Sequence, residues 1–227
     1  MTWSPFFGLR RARAARRATG ALGDFYAVPA PAADTPLDDL GLLAVDVETT
    51  GLNPQVDTVV SMGHVPVDGR SILLGSAAQH VLDAGVAVGQ SAVFHGITDD
   101  ALAEGADLDD AMSAVLAALR GRAMLAHFAY IERHFLSRLC ERLYGAPLVV
   151  PVVCTLVLHD SLVNRGFDDE ARAGQLRLWT ARARYGLPSY PAHDALVDAL
   201  ACAELYLAQT AELGQLRTLS LGAVATR

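Results

Sequence analysis

Leu42-Leu43-Ala44-Val45-Asp46-Val47-Glu48-Thr49-Thr50-Gly51-Leu52 is an apolar run that ends in two carboxylates and a turn. Alternation puts Leu43, Val45 and Val47 on one face and Leu42 and Ala44 on the other, so both faces are apolar, as in a strand covered on both sides. The run predicts a central strand. Asp46 and Glu48 are two residues apart, which places both carboxylates on one face at the strand's carboxyl end, where open α/β sheets carry their sites. Two like charges that close repel. Either a cation lies between them or one of them holds a proton, so a metal site and a perturbed acid are both open at this point. The plainer reading is a strand running into the polar turn Thr49-Thr50-Gly51-Leu52-Asn53-Pro54 with both acids in water.

Working outward, two further strand-like runs, Thr58 to Val67 and Ser71 to Leu82, are joined by the Asp68-Gly69 turn signal of a tight hairpin. Three strands this close in sequence predict antiparallel neighbours. From Leu108 the period changes: Leu108, Ala111, Met112, Val115, Leu116 and Leu119 fall on one helical face. Ala123 to Ala126 reads as a short buried strand. The helix after it, Ala129 to Leu143, has Ile131, Phe135, Leu136, Leu139, Cys140 and Leu143 as its inner stripe. Val149 to Leu156 is β-rich, and Leu176 to Tyr185 and Asp194 to Leu207 read as helices. The order βββαβαβαα predicts an α/β fold, a mixed sheet of three antiparallel strands followed by βαβ units, flanked by helices.

With 227 residues, 52% hydrophobic and 19% charged, the chain can bury one core. The expected division is a basic arm and Ala/Pro linker over residues 1–36, a main domain over 37–210 and a tail over 211–227. Five arginines, Arg10, Arg11, Arg13, Arg16 and Arg17, mark the arm as a surface for nucleic acid, acidic lipid or a partner protein, or as a frayed helix with no role. A net charge of −7 excludes a protein that coats nucleic acid by bulk electrostatics, but not an enzyme that meets a few phosphates locally. Cys140, Cys154 and Cys202 sit among apolar residues and read as core residues of a reducing compartment. No apolar run reaches the roughly 18 residues of a membrane span, and arginines stand where a signal peptide needs its apolar core, so a cytoplasmic protein is expected.

Three more residues bear on chemistry. Asp198 shares a helical face with Ala195, Cys202 and Leu205, so it lies on a stripe that otherwise reads as buried. A buried carboxylate requires an arginine, backbone donors or a metal. His193, just after Pro191, stands at the entry to the same helix. Glu132 lies one position off the apolar stripe of its helix, where an exposed glutamate is the plain reading. Acids at a strand end, at one helix start and one turn into another form a combination that surface charge does not explain.

The segments Asp46-Val47-Glu48-Thr49-Thr50-Gly51, Ala126-His127-Phe128-Ala129-Tyr130-Ile131-Glu132-Arg133-His134-Phe135-Leu136 and His193-Asp194-Ala195-Leu196-Val197-Asp198 resemble, in order, the three motifs of the DnaQ-like DEDDh 3′-to-5′ exonucleases. The proofreading epsilon subunit of bacterial DNA polymerase III is a member of that family. Phe94-His95-Gly96-Ile97-Thr98 resembles a stretch such proteins carry between the first two motifs. The second motif departs from the pattern, with Phe128 where the family has asparagine and Glu132 where it has aspartate. The resemblance implies a ribonuclease H-like fold and two Mg2+ or Mn2+ ions. Asp46, Glu48 and Asp198 would hold one ion, and Asp46 with Glu132 the other. His193 would be the general base, imidazole being the side chain that exchanges protons near neutral pH. Thr49, Thr50, Gly51 and Leu52 would lie beside the terminal nucleotide. Tyr130 either stacks on a base or packs in the core, with core packing favoured. The implied activity is release of nucleoside monophosphates from single-stranded 3′ ends, DNA ahead of RNA. The alternatives are an exoribonuclease, or a non-catalytic module that binds nucleic acid or a DNA polymerase. A stand-alone enzyme is favoured over a polymerase subunit, because the chain ends soon after the last helix.

Overall fold

Strands β1 (Gly41–Thr49), β2 (Val59–Asp68), β3 (Ser71–Ile72), β4 (Ala78–Val81), β5 (Ala123–Ala126) and β6 (Val152–Cys154) form one six-stranded sheet in the computed structural model. The structure describes residues 5–83, 102–163, 174–215 and 219–226, so Phe94-His95-Gly96-Ile97-Thr98 lies outside the described residues. The order is β3-β2-β1-β5-β6, with β4 also paired to β2. β1 is antiparallel to β2 and parallel to β5, and β6 continues parallel to β5. The mixed sheet and the central place of β1 are as expected.

The hairpin after β2 turns at Gly69, whose φ of 56° is the left-handed conformation that a tight turn needs. The run Ser71 to Leu82 is not one strand. A 3-10 turn at Leu74–Ser76 splits it into β3 and β4, which share the outer edge of β2. Val149 to Leu156 likewise yields a strand only over Val152–Cys154, and Thr155 opens a helix, because a short apolar run cannot by its pattern distinguish a strand from a buried helix.

Eight helices are described: α1 (Pro5–Ala15), α2 (Gly20–Ala27), α3 (Leu108–Leu119), α4 (Tyr130–Tyr144), α5 (Thr155–Val163), α6 (Leu178–Arg184), α7 (Ala195–Gly214) and α8 (Leu221–Val224). On one face of the sheet Leu43, Val45 and Met62 pack with residues of α2, α3 and α4. On the other, Leu42, Ala44, Val65 and Val67 pack with Ala199, Cys202, Ala203 and Tyr206 of α7 and with α8. All three cysteines are free and buried. Among the described residues no helix is long and apolar enough to cross a membrane.

The expected separate arm is not what the structure places at the N-terminus. Leu22 and Phe25 of α2 are fully buried in the same core as α3 and α4. Arg11 donates to the carbonyl oxygens of Val149 (2.8 Å) and Val28 (2.9 Å), and its guanidinium lies 4.8 Å from the Phe25 and Tyr26 ring centres. At least this arginine serves the fold. The Ala/Pro segment and the tail are tied together as well, through Gly222 N–H to Ala33 O and Leu221 N–H to Thr35 O. The sequence signal was thin because α2 presents only two large buried side chains, too few to set a period. Leu22→Ala is therefore expected to destabilise the whole domain by about 2–5 kcal/mol, measured by urea unfolding, whereas a detachable arm would leave the midpoint unmoved.

Candidate active site

Asp46 and Glu48 share the pleat parity of Leu42 and Ala44, so both project on the α7 side of the sheet, at its carboxyl end. The ladder between β1 and β2 slips by one residue between Glu48 and Thr49. Such bulges bend a strand and re-aim its last side chains.

α7 reaches these acids through three local features. Asp194 caps it, its Oδ1 accepting from the N–H groups of Leu196 and Val197 at 3.0 Å each. His193, immediately before the cap, adopts a φ of 67°, uncommon for a non-glycine residue. Its N–H donates to Asp198 Oδ2 at 3.0 Å, so the entry loop and the first turn hold each other. The third feature is Gly63, which pairs with Asp46 across the ladder. A Cβ built there would lie 2.2 Å from the backbone carbon of Ala195 and 2.3 Å from Leu196 N. Only a bare Cα lets the start of α7 lie this close to the sheet. As a result, Glu48, His193 and Asp198 offer ligand atoms within 4.8 Å of one another.

Glu132 arrives from the other side, in the first turn of α4. It is 3% exposed, so the surface glutamate expected from its helical position is instead buried. Its Oε2, like Asp198 Oδ1, is buried with no hydrogen-bond partner among the described residues. Burial pushes the Glu132 carboxyl up to about 8. Burial first, and then the charges of Glu132, Asp198, Glu48 and Asp194, hold Asp46 well above the ordinary carboxylate range. Glu48 is raised to about 7 by burial and by Asp198 and Asp194. Asp198 is raised by burial, with the His193 N–H pulling the other way. Glu48, His193 and Asp198 are thus the residues brought to ligand distance of one another, while Asp46 and Glu132 lie outside that group and near enough for the charge of Glu132 to raise Asp46. Carboxylates that resist ionising together, two of them with orphaned buried oxygens, are the hard-oxygen donors that a divalent cation favours.

The turn after β1 is shaped by its own side chains. Thr49 Oγ1 donates to Gly51 O at 2.6 Å, Thr50 Oγ1 accepts from Thr58 N–H at 3.0 Å, and Asp57 Oδ2 accepts from Asn53 N–H at 2.8 Å. A Cβ on Gly51 would stand 2.6 Å from Asp57 Oδ2, so this glycine makes room for the Asp57 carboxylate. Leu52 is left 74% exposed at the tip. Arg138 Nη1 donates to Gln55 Oε1 at 2.8 Å and ties the turn to α4. Tyr130, for which core packing was favoured, is 50% exposed, because it points away from the helical face that carries Phe135 and Leu136 inward.

Sequence reasoning missed Gly63, Asp57, the cap at Asp194 and Arg182. Arg182 of α6 is fully buried, donating to Ala201 O (2.5 Å), Pro188 O (2.8 Å) and Glu204 Oε2 (2.7 Å). It thereby fastens the loop that leads to His193 onto α7. The available signal was an acid within α7, Glu204, that needed a cation.

Comparison with known proteins adds the family. The family profile described as Exonuclease matches residues 43–206. The chain is 28% identical over 169 residues to the DNA polymerase III subunit epsilon of Treponema pallidum, covering 74% of this chain and 76% of that protein. It is 27% identical over 177 residues to the DNA polymerase III PolC-type of Thermotoga maritima, of whose length it spans 12%. Among solved structures, the nuclease domain of 3′hExo, a DEDDh family member bound to rAMP, superposes with a TM-score of 0.63 at 16% identity, covering 79% of this chain and 96% of that one. That likeness concerns the fold, the ribonuclease H-like α/β arrangement expected from the motifs. With a profile match across β1, α4 and α7 and all the elements between them, the chain belongs to the Exonuclease family.

Proposed function

We propose that the chain is a divalent-metal-dependent 3′-to-5′ exonuclease that releases nucleoside monophosphates from single-stranded ends, DNA in preference to RNA. The observation that carries this reading is the grouping of Glu48, His193 and Asp198 within 4.8 Å of one another, with Asp46 near enough to feel the charges of Glu48, Asp198 and Glu132, and with Glu132 Oε2 and Asp198 Oδ1 buried and without a partner among the described residues. Asp46, Glu48 and Asp198 would hold one cation and Asp46 with Glu132 a second. When bound, Mg2+ or Mn2+ supplies Lewis-acid activation of the attacking water and neutralises charge on the leaving 3′ oxygen. His193 takes a proton of the water whose oxygen bonds to phosphorus, the bond from phosphorus to the 3′ oxygen breaks with its electron pair leaving on that oxygen, which takes a proton from solvent to become the new 3′ hydroxyl, and a 5′-mononucleotide is released. The exposed His193 side chain, held at the head of α7, suits that exchange with solvent. Leu52 packs on the terminal base, and Thr49, Thr50 and Gly51 set the turn that presents it.

The relative named as the DNA polymerase III subunit epsilon supports a DNA polymerase partner. The second-motif departures, Phe128 and Glu132, favour one other reading, a module that binds single strands without cleaving them. The test is incubation with single-stranded DNA and RNA of one sequence, 5′-labelled, in Mg2+ or Mn2+ and then in chelator. Stepwise shortening from the 3′ end that stops in chelator is expected, faster on DNA. Binding without shortening in either metal selects the non-catalytic module.

A further inference from the structure

We infer that Phe128, Tyr130 and His134 form a stacking platform for the bases of a single strand whose 3′ end lies among the carboxylates, which rests on the nuclease reading above. Phe128 and Tyr130 are each 50% exposed, although the fold buries most of its large apolar side chains. Their ring centres are 6.1 Å apart with 29° between the planes, and the Tyr130 and His134 rings follow at 4.0 Å and 40°. Tyr130 and His134 are four residues apart on α4 and so share one face. The carbonyl oxygen of Tyr130 accepts from Nδ1–H of His134 at 2.6 Å, which fixes the second ring against the first.

Phe128 holds a φ of 61°. A bulky residue in the left-handed region is a genuine outlier, and asparagine or glycine adopts that conformation far more readily. The phenyl ring is half exposed, so core packing does not account for it. The strain marks the residue as a candidate for a role outside the fold. Its position indicates which. Phe128 lies in the link between β5 and α4, at the end of the sheet that carries Asp46 and Glu48, and β5 is the parallel neighbour of β1. Tyr130 opens the helical turn whose opposite side buries Glu132. Exposed Leu52 stands on the turn that Arg138 ties to the same helix. A strand leaving the carboxylates toward α4 therefore meets aromatic faces. Stacking suits this protein, since a chain of net charge −7 with an acidic site draws little affinity from phosphates, whereas every base offers a π-face.

The experiment measures binding of fluorescein-labelled dT12 by anisotropy, with calcium in place of magnesium, at several salt concentrations. It compares the full chain with Phe128→Asn, Tyr130→Leu and Tyr130→Phe. Loss of one stacked base weakens binding by roughly tenfold or more, and this is expected of Phe128→Asn and Tyr130→Leu. Tyr130→Phe, which keeps the ring, stays within about twofold. The slope of log affinity against log salt stays the same, because no phosphate contact is lost. Phe128→Asn also keeps or raises the melting temperature, which separates lost binding from lost fold. Wild-type affinity in both Phe128→Asn and Tyr130→Leu, in a protein that shortens DNA in magnesium, overturns the platform alone and leaves the patch to a protein partner. A wild-type chain that neither binds nor shortens dT12 overturns the nuclease reading and the platform with it.

Discussion

Asp46→Asn and Glu132→Gln are expected to abolish hydrolysis and, in chelator at pH 8, to raise the melting temperature above that of the wild type. Both effects have one source. Asp46 is raised well above the ordinary carboxylate range by burial and by Glu132, Asp198, Glu48 and Asp194, and Glu132 to about 8 by burial. In the unfolded chain such groups titrate near 4. Between those limits the folded protein binds more protons than the unfolded one, so its stability falls as pH rises. The contribution is fully present below pH ~4 and is lost as pH passes through about 7 for Glu48 and about 8 for Glu132. An amide in place of either acid removes part of that loss, and a cation that binds only the folded state offsets it in the wild type. Neither variant can then recruit the cation as the wild type does. Glu132→Asp keeps the charge and shortens the reach, so it should retain part of the activity that Glu132→Gln loses. Calorimetry at pH 5 and 8, with chelator and with magnesium, checks the stabilities, and turnover on one single-stranded substrate checks the activity. A wild-type chain equally stable at both pH values in chelator, or a Glu132→Gln protein with full turnover, would remove Glu132 from the metal site.

What the sequence disclosed follows from which interactions are local. The period of two put Asp46 and Glu48 on one face, and the period of 3.6 put Asp198 on the buried stripe of its helix, because both depend on neighbours along the chain. The inner faces of α3 and α4 were legible for the same reason. Glu132 looked exposed because its helical position lies off the stripe, and only the start of α4 at the sheet end encloses it. α2 was hidden because its packing depends on Tyr144, Pro147 and Val149, more than a hundred residues away. Gly63 carried no signal, and Arg182 only the indirect one of its partner acid Glu204 in α7. Each is decided by how close another element comes, and that distance is a property of the folded chain.

Gly63→Ala is the substitution expected to do the most damage for its size. The residue lies on β2 opposite Asp46, and a Cβ there would meet Ala195 C at 2.2 Å, Ala195 O at 2.3 Å and Leu196 N at 2.3 Å. These are backbone atoms, so no side-chain rotation relieves the overlap. Carbon atoms in ordinary contact stand about 3.5–4.0 Å apart, and the start of α7 must therefore retreat by more than ~1 Å. His193 and Asp198 sit on that start, joined by the His193 N–H to Asp198 Oδ2 bond, and they move with it. A displacement of about 1 Å costs on the order of 10²-fold in rate, and overpacking of this kind costs about 1–3 kcal/mol in stability. Val65→Ala supplies the comparison. It lies on the same strand and packs into the same face, but at a position that carries no clash with the head of α7, so it should lower stability while leaving turnover nearly intact. The loss in Gly63→Ala should fall on kcat more than on KM. It should also be smaller in a His193→Ala background, because the share that acts through His193 is already lost there and only the share that acts through Asp198 remains. Wild-type turnover in Gly63→Ala, or an undiminished loss in the double variant, would show that α7 reaches the carboxylates by some other support.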